Sequence, residues 1–164
     1  MITSFQRKKI NPNKVYGFVV KESDALILIA KENDFHFDGF QIIRTKDVTK
    51  REITDSNRYC AKIMKKEGNW ATIPTCVKKL DLTSWETALA GIHSEVMILE
   101  NERKEGDFYI GPKIQISKTS ITLHWFDGVG KWGTPDTIPF RSITSCKFLD
   151  NYSSTHAKYL DWTE

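Results

Sequence analysis

The feature that most constrains the fold of this 164-residue chain is an internal repeat. Aligned with itself at an offset of 94 residues, the chain matches glycine with glycine, serine with serine and alternating apolar residues with apolar residues. The matched pairs are Gly17–Gly111, Val20–Ile114, Ser23–Ser117, Ile27–Ile121 and Ile29–Leu123. One inserted residue then aligns Ile43–Ile138, Val48–Ile143 and Thr49–Thr144, and later matches follow at Asn57–Asn151 and Ala61–Ala157. Self-similarity of this kind is typical of a duplicated module.

Each copy has the pattern strand–turn–strand–loop–strand–strand–helix. A module of roughly 55 residues is small for an isolated hydrophobic core, so we expect the two copies to pack together. Short strands with edges to protect favour closure into a small barrel. The sequence therefore predicts a mainly β (α+β) protein with two similar small five-stranded barrels and short helices. The predicted units are 1–69, a first barrel repeat with a C-terminal helix; 70–94, a connecting segment with a short helix; and 95–164, a second barrel repeat.

Helices are predicted where the separation between apolar residues changes from two positions to three or four positions. An apolar stripe of Tyr59, Cys60, Ile63 and Met64 predicts a helix over 56–67. A second, shorter helix should start at the capping box of Thr83 and Glu86 and end near residue 93. Tyr152, His156, Tyr159 and Leu160 indicate a helical segment at the end of the second copy.

The composition excludes several classes of protein. A net charge of +3 with 40% hydrophobic residues does not fit a disordered chain. The longest apolar run, Ala25 to Ala30, is far too short to cross a membrane, and the first ten residues contain no apolar core of a secretory signal. Three widely spaced cysteines, Cys60, Cys76 and Cys146, argue against a disulfide framework. We therefore expect a cytoplasmic protein.

The modest net charge is the sum of unlike parts. Residues 1–69 carry 14 basic and 9 acidic side chains, whereas residues 95–164 carry 8 basic and 10 acidic ones. A basic half could favour an anionic partner such as RNA. However, its charges alternate in sign, as at Lys21-Glu22 and Arg51-Glu52, which is typical of a solvated surface of mixed charge.

Motifs for catalysis, metal or cofactor binding are absent from the sequence. Gly128-Val-Gly-Lys131 has part of a phosphate-binding pattern, but Trp132 follows it and strands flank it, so it is better explained as a turn that needs a positive φ. The four histidines show no metal-ligand spacing, and no GxSxG occurs. We therefore predict no cofactor, no metal site and no catalytic residue.

Aromatic residues around the Gly-rich turn of the second copy are better candidates. Alternation along the preceding strand predicts that Trp125 faces the core with Ile121 and Leu123. Phe126 and Trp132 would then lie at the surface beside Lys131, where aromatic rings could stack on bases or grip a peptide.

Two stretches carry a family resemblance. The segment 37–48 and the segment 109–123, continued by Ile138-Pro-Phe-Arg-Ser-Ile-Thr144 and Asn151-Tyr152, are similar to a family of small bacterial proteins of uncharacterised function. That resemblance implies a tandem of Sm-like, or SH3-like, barrels. It covers most of the chain and implies a fold rather than an activity.

The likeness to RNA-binding Sm proteins is incomplete at the residues that would read a base. Gly17 and Asp24 match their first motif, but Leu28 stands where an Asn should be, and Lys118 and Thr122 replace the Asp and Asn of the second copy. Arg44-Thr45 is the nearest match to their Arg-Gly. The missing polar groups put recognition of uridine-type RNA in doubt. The candidate partner-binding residues are Phe126, Lys131, Trp132, Arg44 and Lys46.

These observations favour a non-catalytic bacterial binding module with a protein partner, such as an adaptor or an immunity-type protein that blocks a toxin. Two alternatives stay open: an RNA-binding Sm-like protein and a small enzyme. An adaptor predicts an exposed apolar or acidic patch on one copy. An RNA binder predicts that the basic residues of 1–69 share a face with exposed aromatic rings. An enzyme predicts a Cys and a His within hydrogen-bond reach of each other in a pocket. A homo-oligomer is compatible with any of the three.

Overall fold

A computed structural model of the chain describes residues 1–103 and 106–160. The protein is mainly β, as the sequence predicts. The last four residues of the predicted second unit, 161–164, lie outside the described residues. The first half contains β1 (Ile2–Arg7), β2 (Asn11–Glu22), β3 (Leu26–Asn33), β4 (His36–Arg44), β5 (Lys50–Glu52) and helix α1 (Asp55–Lys66).

The connecting segment and the second half contain the remaining elements. Two short helices, α2 (Thr75–Lys78) and α3 (Trp85–Gly91), lie between the halves. The second half contains β6 (Met97–Asn101), β7 (Asp107–Gly111), β8 (Lys113–Ile116), β9 (Ser120–Leu123), β10 (Asp136–Pro139), β11 (Ser145–Phe148) and helix α4 (Asn151–Tyr159). Among these residues no helix is both long enough and apolar enough to cross a membrane.

Both halves have the same order of strands. The first is ordered β5-β1-β2-β3-β4. The second is ordered β11-β6-β7 in one sheet and β8-β9-β10 in the other. Pro112 alone separates β7 from β8, and the amides of His124 and Phe126 donate to the carbonyls of Pro112 and Ile110, so pairing continues across the break. The pair β7–β8 thus corresponds to the single long strand β2.

Strand register repeats at the offset found in the sequence. Val19 pairs with Ile29 in the first half and Lys113 pairs with Leu123 in the second, and each pair precedes a shift of register in its strand. The turns that follow are built alike, since the amides of Ser23 and Ser117 donate to the carbonyls of Leu26 and Ser120 at 2.9 Å each. The amides of Thr49 and Thr144 likewise donate to the carbonyls of Gln6 and Glu100.

Two glycines of the repeat mark a close crossing of strands. A Cβ atom on Gly17 would overlap the carbonyl oxygen of Ala30, and a Cβ atom on Gly111 would overlap that of His124. The two carbonyls are themselves 94 residues apart. Because the obstacle is backbone in both cases, each crossing requires glycine.

The sequence predicts two barrels, but the strands do not close into barrels. Strand β4 pairs with β11 instead, with Gln41 opposite Lys147 and Ile42 opposite Cys146. Over the described residues this pairing joins the halves into an open eight-stranded sheet, β5-β1-β2-β3-β4-β11-β6-β7, beside a three-stranded one. The edge of β4 is thus protected by the other half of the chain rather than by its own barrel.

One hydrophobic cluster spans both halves and the connecting segment. Leu28 and Ile42 of the first half, Leu89 of α3, and Leu99 and Ile121 of the second are all buried in it. The unit boundaries therefore stay predictions.

Helix α3 begins one residue later than the sequence predicts. The reason is that Ser84, rather than Thr83, forms the capping box, with Thr87 as its partner.

Lys113 fixes the end of α3. Its ammonium group, on β8, donates hydrogen bonds to the carbonyls of Leu89, Ala90 and Ile92 at 2.9, 3.2 and 3.1 Å. These carbonyls have no partner within the helix, and the negative end of the helix dipole favours a cation there. Burial lowers the pKa of Lys113.

The tight turn between β3 and β4 holds a strained residue. Asp34 and Phe35 both have positive φ, 46° and 65°, between the paired residues Asn33 and His36. A two-residue turn of this kind favours Gly at its second position.

We expect Phe35→Gly to raise the free energy of unfolding by about 1 kcal/mol, the cost of a left-handed non-glycine residue. Chemical denaturation measures it. Phe35→Ala is the control, because it removes the half-exposed ring and keeps the strain. If the two variants change the free energy of unfolding equally, the change comes from loss of the ring and not from relief of backbone strain.

Candidate functional site

The Gly-rich turn of the second half is held by Asp127. The carboxylate of Asp127 accepts hydrogen bonds from the amides of Val129 and Lys131 at 3.0 and 2.9 Å, and Gly130 takes a φ of 79°. Because the carboxylate already occupies these amides, they cannot cradle a phosphate. The turn places Phe126 and Trp132 opposite each other as a bridge pair.

Phe126 is not at the surface, and that prediction from alternation is wrong. Its ring is 3% exposed and packs with Ile98, Ile110 and Leu160. Strand β9 ends at Leu123, and the chain then bends to pair with β7, so the alternation that holds up to Leu123 does not continue to Phe126. Trp125 is half-buried, with its ring against Gly133.

Trp132 belongs to a continuous row of rings on the second half. We call the residues Tyr152, His156, Phe126, Trp132 and His124 the aromatic row. Their successive ring centroids lie 4.7, 5.2, 5.8 and 4.4 Å apart. Tyr152 is 55% exposed, and the rings of His156, Trp132 and His124 are half-buried. Phe126 supports the row from beneath, and the exposed Lys131 stands beside it.

Arg44 and Lys46 lie elsewhere in the fold. Arg44 is 5% exposed, and its guanidinium donates to the Asp47 carboxylate at 2.5 Å and to the carbonyl of Arg141 at 3.2 Å. It therefore fixes the end of β4 against the second half. Lys46 is exposed at the rim of a shallow groove that also includes Trp85. In the part of the chain that the structure describes, no hydrogen bond or ring contact joins either residue to the aromatic row.

A polar cluster that sequence reasoning missed lies on one face of the eight-stranded sheet. Arg7, at the end of β1, makes two hydrogen bonds of 2.6 and 2.7 Å to the carboxylate of Glu102, just after β6. Asn11 and Thr144 donate to the same carboxylate at 3.2 and 3.0 Å. The Arg7 side chain is 1% exposed and that of Glu102 is 11% exposed.

The contact between Arg7 and Glu102 requires a curled sheet. Strands β2, β3, β4 and β11 lie between β1 and β6. In a flat sheet these two strands would be about 24 Å apart, beyond the reach of two side chains. The ion pair therefore closes the concave face of the sheet with side chains where backbone pairing does not. Burial would raise the pKa of Glu102, but the hydrogen bonds and charge of Arg7 outweigh it and hold that pKa below its usual value.

Two cavities open on the concave face, with Lys31 and Lys147 lining both. One has a volume of about 400 Å³ and extends to Asp38 and Asp150, and the other, of about 220 Å³, extends to Arg7 and Glu102. Lys147 is paired with Glu100 at 2.9 Å, whereas the side-chain ammonium of Lys31 makes no hydrogen bond or ion pair within residues 1–103 and 106–160. Burial, together with the charges of Lys147 and Arg7, lowers the pKa of Lys31.

Helix α1 presents a basic face to solvent. Arg58, Lys62, Lys65 and Lys66 are exposed, and Tyr59 among them is 66% exposed. Cys60 and Met64 form the opposite, buried face against Ile2, as the apolar stripe predicts, but Tyr59 of the same stripe lies on the exposed face. Thr54 caps the first turn by accepting from the amide of Asn57. Four basic residues of the first half therefore share one surface with an aromatic ring.

The cysteines do not form a nucleophilic site with histidine. Burial, followed by the charge of Glu32, raises the pKa of the Cys60 thiol. Cys146 is fully buried, which also raises its pKa. A raised pKa keeps a thiol protonated and poorly nucleophilic. Within the described ranges no Cys–His hydrogen bond occurs, and no three His, Cys, Asp or Glu side chains form a group that could hold a metal ion.

Within the described residues, the aromatic row, the basic face of α1 and the polar cluster with its cavities thus have features of a site. Comparisons of the chain with protein-family models, with curated protein sequences and with solved structures find no match.

Proposed function

We propose that this chain is a non-catalytic binding module that engages a protein partner through the aromatic row of its second half. The observation that carries the proposal is the row itself, with Tyr152 exposed and the rings of His156, Trp132 and His124 half-exposed beside Lys131. Tyr and Trp are enriched at the energetic centres of protein interfaces. An adaptor or an immunity-type protein that blocks a toxin would use such a surface.

The architecture supports the same proposal. Each half has the same strand order and register, which favours two copies of a five-stranded Sm-like or SH3-like module whose β4 and β11 edges have joined. The second copy would then be free to diverge as a binding surface. A reducing cytoplasm suits Cys60, Cys76 and Cys146, all of which are free thiols.

Site-specific photo-cross-linking tests the partner. With p-benzoylphenylalanine in place of Tyr152, we expect discrete covalent adducts with one protein in the cells that encode this chain. The matched control carries the same group in place of Tyr59, which is similarly exposed but lies on α1. The purified adduct partner should bind Tyr152→Ala about 30-fold more weakly than the unchanged protein, as for a truncated hot-spot residue.

Three outcomes would contradict a partner at the aromatic row. These are no protein adduct at position 152, the same adducts at positions 152 and 59, and an affinity that Tyr152→Ala leaves unchanged. Tyr59→Ala should bind normally, because it removes an exposed aromatic ring of the same size from a different surface.

The basic face of α1 favours a second candidate function, RNA binding. Four exposed basic side chains and Tyr59 could contact phosphates and stack on a base. Lys62→Glu combined with Lys66→Glu should then abolish binding of a mixed-sequence single-stranded RNA in a mobility-shift assay. The affinity of the unchanged protein should fall about tenfold or more between 50 and 200 mM salt. Salt-independent binding, or no binding at low salt, would exclude this function. The small-enzyme alternative stays a prediction.

A further inference from the structure

We propose that the smaller cavity of the concave face binds a small oxyanion, a carboxylate or phosphate, on a molecule that also carries a hydrogen-bond donor such as a hydroxyl group. This site is separate from the aromatic row and does not depend on the protein partner.

The charges that line the cavity leave one cation without a counter-ion. Arg7 is paired with Glu102, Lys147 with Glu100, and Lys14 with Glu52 on strand β5. Lys31, half-buried on β3, has no such partner in the described chain. The carboxylates of Glu100 and Asp38 act on it only through space. A half-buried ammonium without a partner is costly, and an anionic ligand would offset that cost.

Two residues that line the cavity also carry a buried polar atom with no hydrogen-bond partner among the described residues, and a small movement of each side chain would bring that atom to a ligand. The Nε–H of Arg7 is a buried donor with no acceptor, although both terminal nitrogens of the same guanidinium are paired. The Oε2 atom of Glu100 is a buried acceptor with no donor. Buried polar groups in native proteins are nearly always satisfied, so unsatisfied ones at a cavity indicate a missing partner.

Together these groups define the chemistry of the ligand. The Lys31 ammonium and the Arg7 Nε–H both donate, so they fit oxygen atoms that carry negative charge. Glu100 Oε2 accepts, so it fits a hydroxyl or other donor on the same molecule. A cavity of about 220 Å³ admits on the order of seven water volumes, which suits a phosphate or a hydroxy acid of a few carbons.

The cavity joins distant parts of the chain. Arg7 lies on β1, Lys31 on β3, Glu100 on β6 and Lys147 on β11, so both halves of the chain contribute charged groups to the cavity. Only the pairing of β4 with β11 brings them to one face.

Calorimetric titration of the full chain at constant ionic strength tests the site. The probes are inorganic phosphate and malate, each with a control that has no hydroxyl group, sulfate and succinate respectively. We expect saturable binding of at least one probe and weaker binding of its control. Lys31→Met should weaken binding by about tenfold to a hundredfold, the worth of a hydrogen bond to a charged group. Lys79→Met is the matched control, because Lys79 is an exposed lysine of the connecting segment that does not line the cavity and should change affinity less than about twofold.

Folding does not confound the test, because Lys31→Met removes a charge that has no partner and keeps the aliphatic stem. Its melting temperature should equal or exceed that of the unchanged protein. The proposal is overturned if neither phosphate nor malate binds saturably, if Lys31→Met binds as well as Lys79→Met, or if sulfate and succinate bind as tightly as their hydroxylated counterparts. Binding of phosphate alone or of malate alone identifies which oxyanion the cavity accepts.

Discussion

Replacing Glu102 with alanine should lower the free energy of unfolding by about 3–5 kcal/mol, because it leaves the buried Arg7 guanidinium without a counter-charge. The change also removes the acceptor for Asn11 and Thr144. Denaturant titration followed by tryptophan fluorescence measures the loss. Glu102 also lines the smaller cavity, so we expect the variant to bind the oxyanion probes poorly.

Lys14→Ala is the control for this prediction. It removes one partner of an exposed ion pair, with Glu52, and should cost less than about 1 kcal/mol. Joint replacement by Arg7→Met and Glu102→Leu should recover most of the loss, since apolar residues of similar volume remove both buried charges. If Glu102→Ala costs no more than Lys14→Ala, the buried pair does not hold the sheet.

The same pair gives stability a definite dependence on pH. Because the pKa of Glu102 is lower in the folded protein than its usual value, the carboxylate stabilises the fold at pH values above about 4.3, the pKa of an ordinary Glu. That contribution is lost as the pH falls through the lower, folded pKa. The difference in unfolding free energy between the unchanged protein and Glu102→Gln should therefore be largest near neutral pH and shrink on acidification.

Gly17→Ala and Gly111→Ala should each lower the free energy of unfolding by about 3 kcal/mol, the upper end of the cost of overpacking. In both, the new methyl group would overlap a backbone carbonyl, which has no rotamer by which to move away. Because the two crossings are equivalent, the two losses should be similar. Thermal unfolding of both variants under the same conditions measures them.

Gly128→Ala is the matched control, since a Cβ atom at Gly128 meets nothing within 4 Å and needs no positive φ. It should change the unfolding free energy by less than about 0.5 kcal/mol. A small effect at Gly17 with a large one at Gly111 would mean that the two crossings are not equivalent in energy, whatever their geometry.

The local elements follow directly from residue patterns. The stripe that includes Cys60 and Met64 predicts α1 to within one residue at each end. Neighbouring apolar residues that recur four positions later share one face of a helix, whereas in a strand they would point to opposite faces. The self-alignment also finds the strand register, since Ser23 and Ser117 build the same turn and fix the pairing of the strands on either side. Local hydrogen bonds and side-chain periodicity are both encoded over a few residues, so sequence alone can reveal them.

The long-range contacts could not be predicted in that way. Pairing of β4 with β11 joins Ile42 to Cys146, more than 100 residues away, and no local pattern distinguishes it from closure of a barrel. Arg7 and Glu102 each look like ordinary surface charges until the sheet curls. Alternation gives the wrong burial for Phe126 for a related reason, because it holds only while a strand is straight. The candidate site that the sequence does indicate, around Trp132, depends on one short turn.

The position of β11 also determines the order in which the sheet can be completed during synthesis. This strand lies between β4 and β6, yet it leaves the ribosome after both. Until it emerges, the nascent chain has two unpaired strand edges, one of which carries Phe40 and Ile42 and the other Met97 and Leu99. Such edges are templates for pairing with other chains. A ribosome that stalls before residue 145 therefore leaves an aggregation-prone intermediate. Strand β11 removes this risk when it pairs with both β4 and β6.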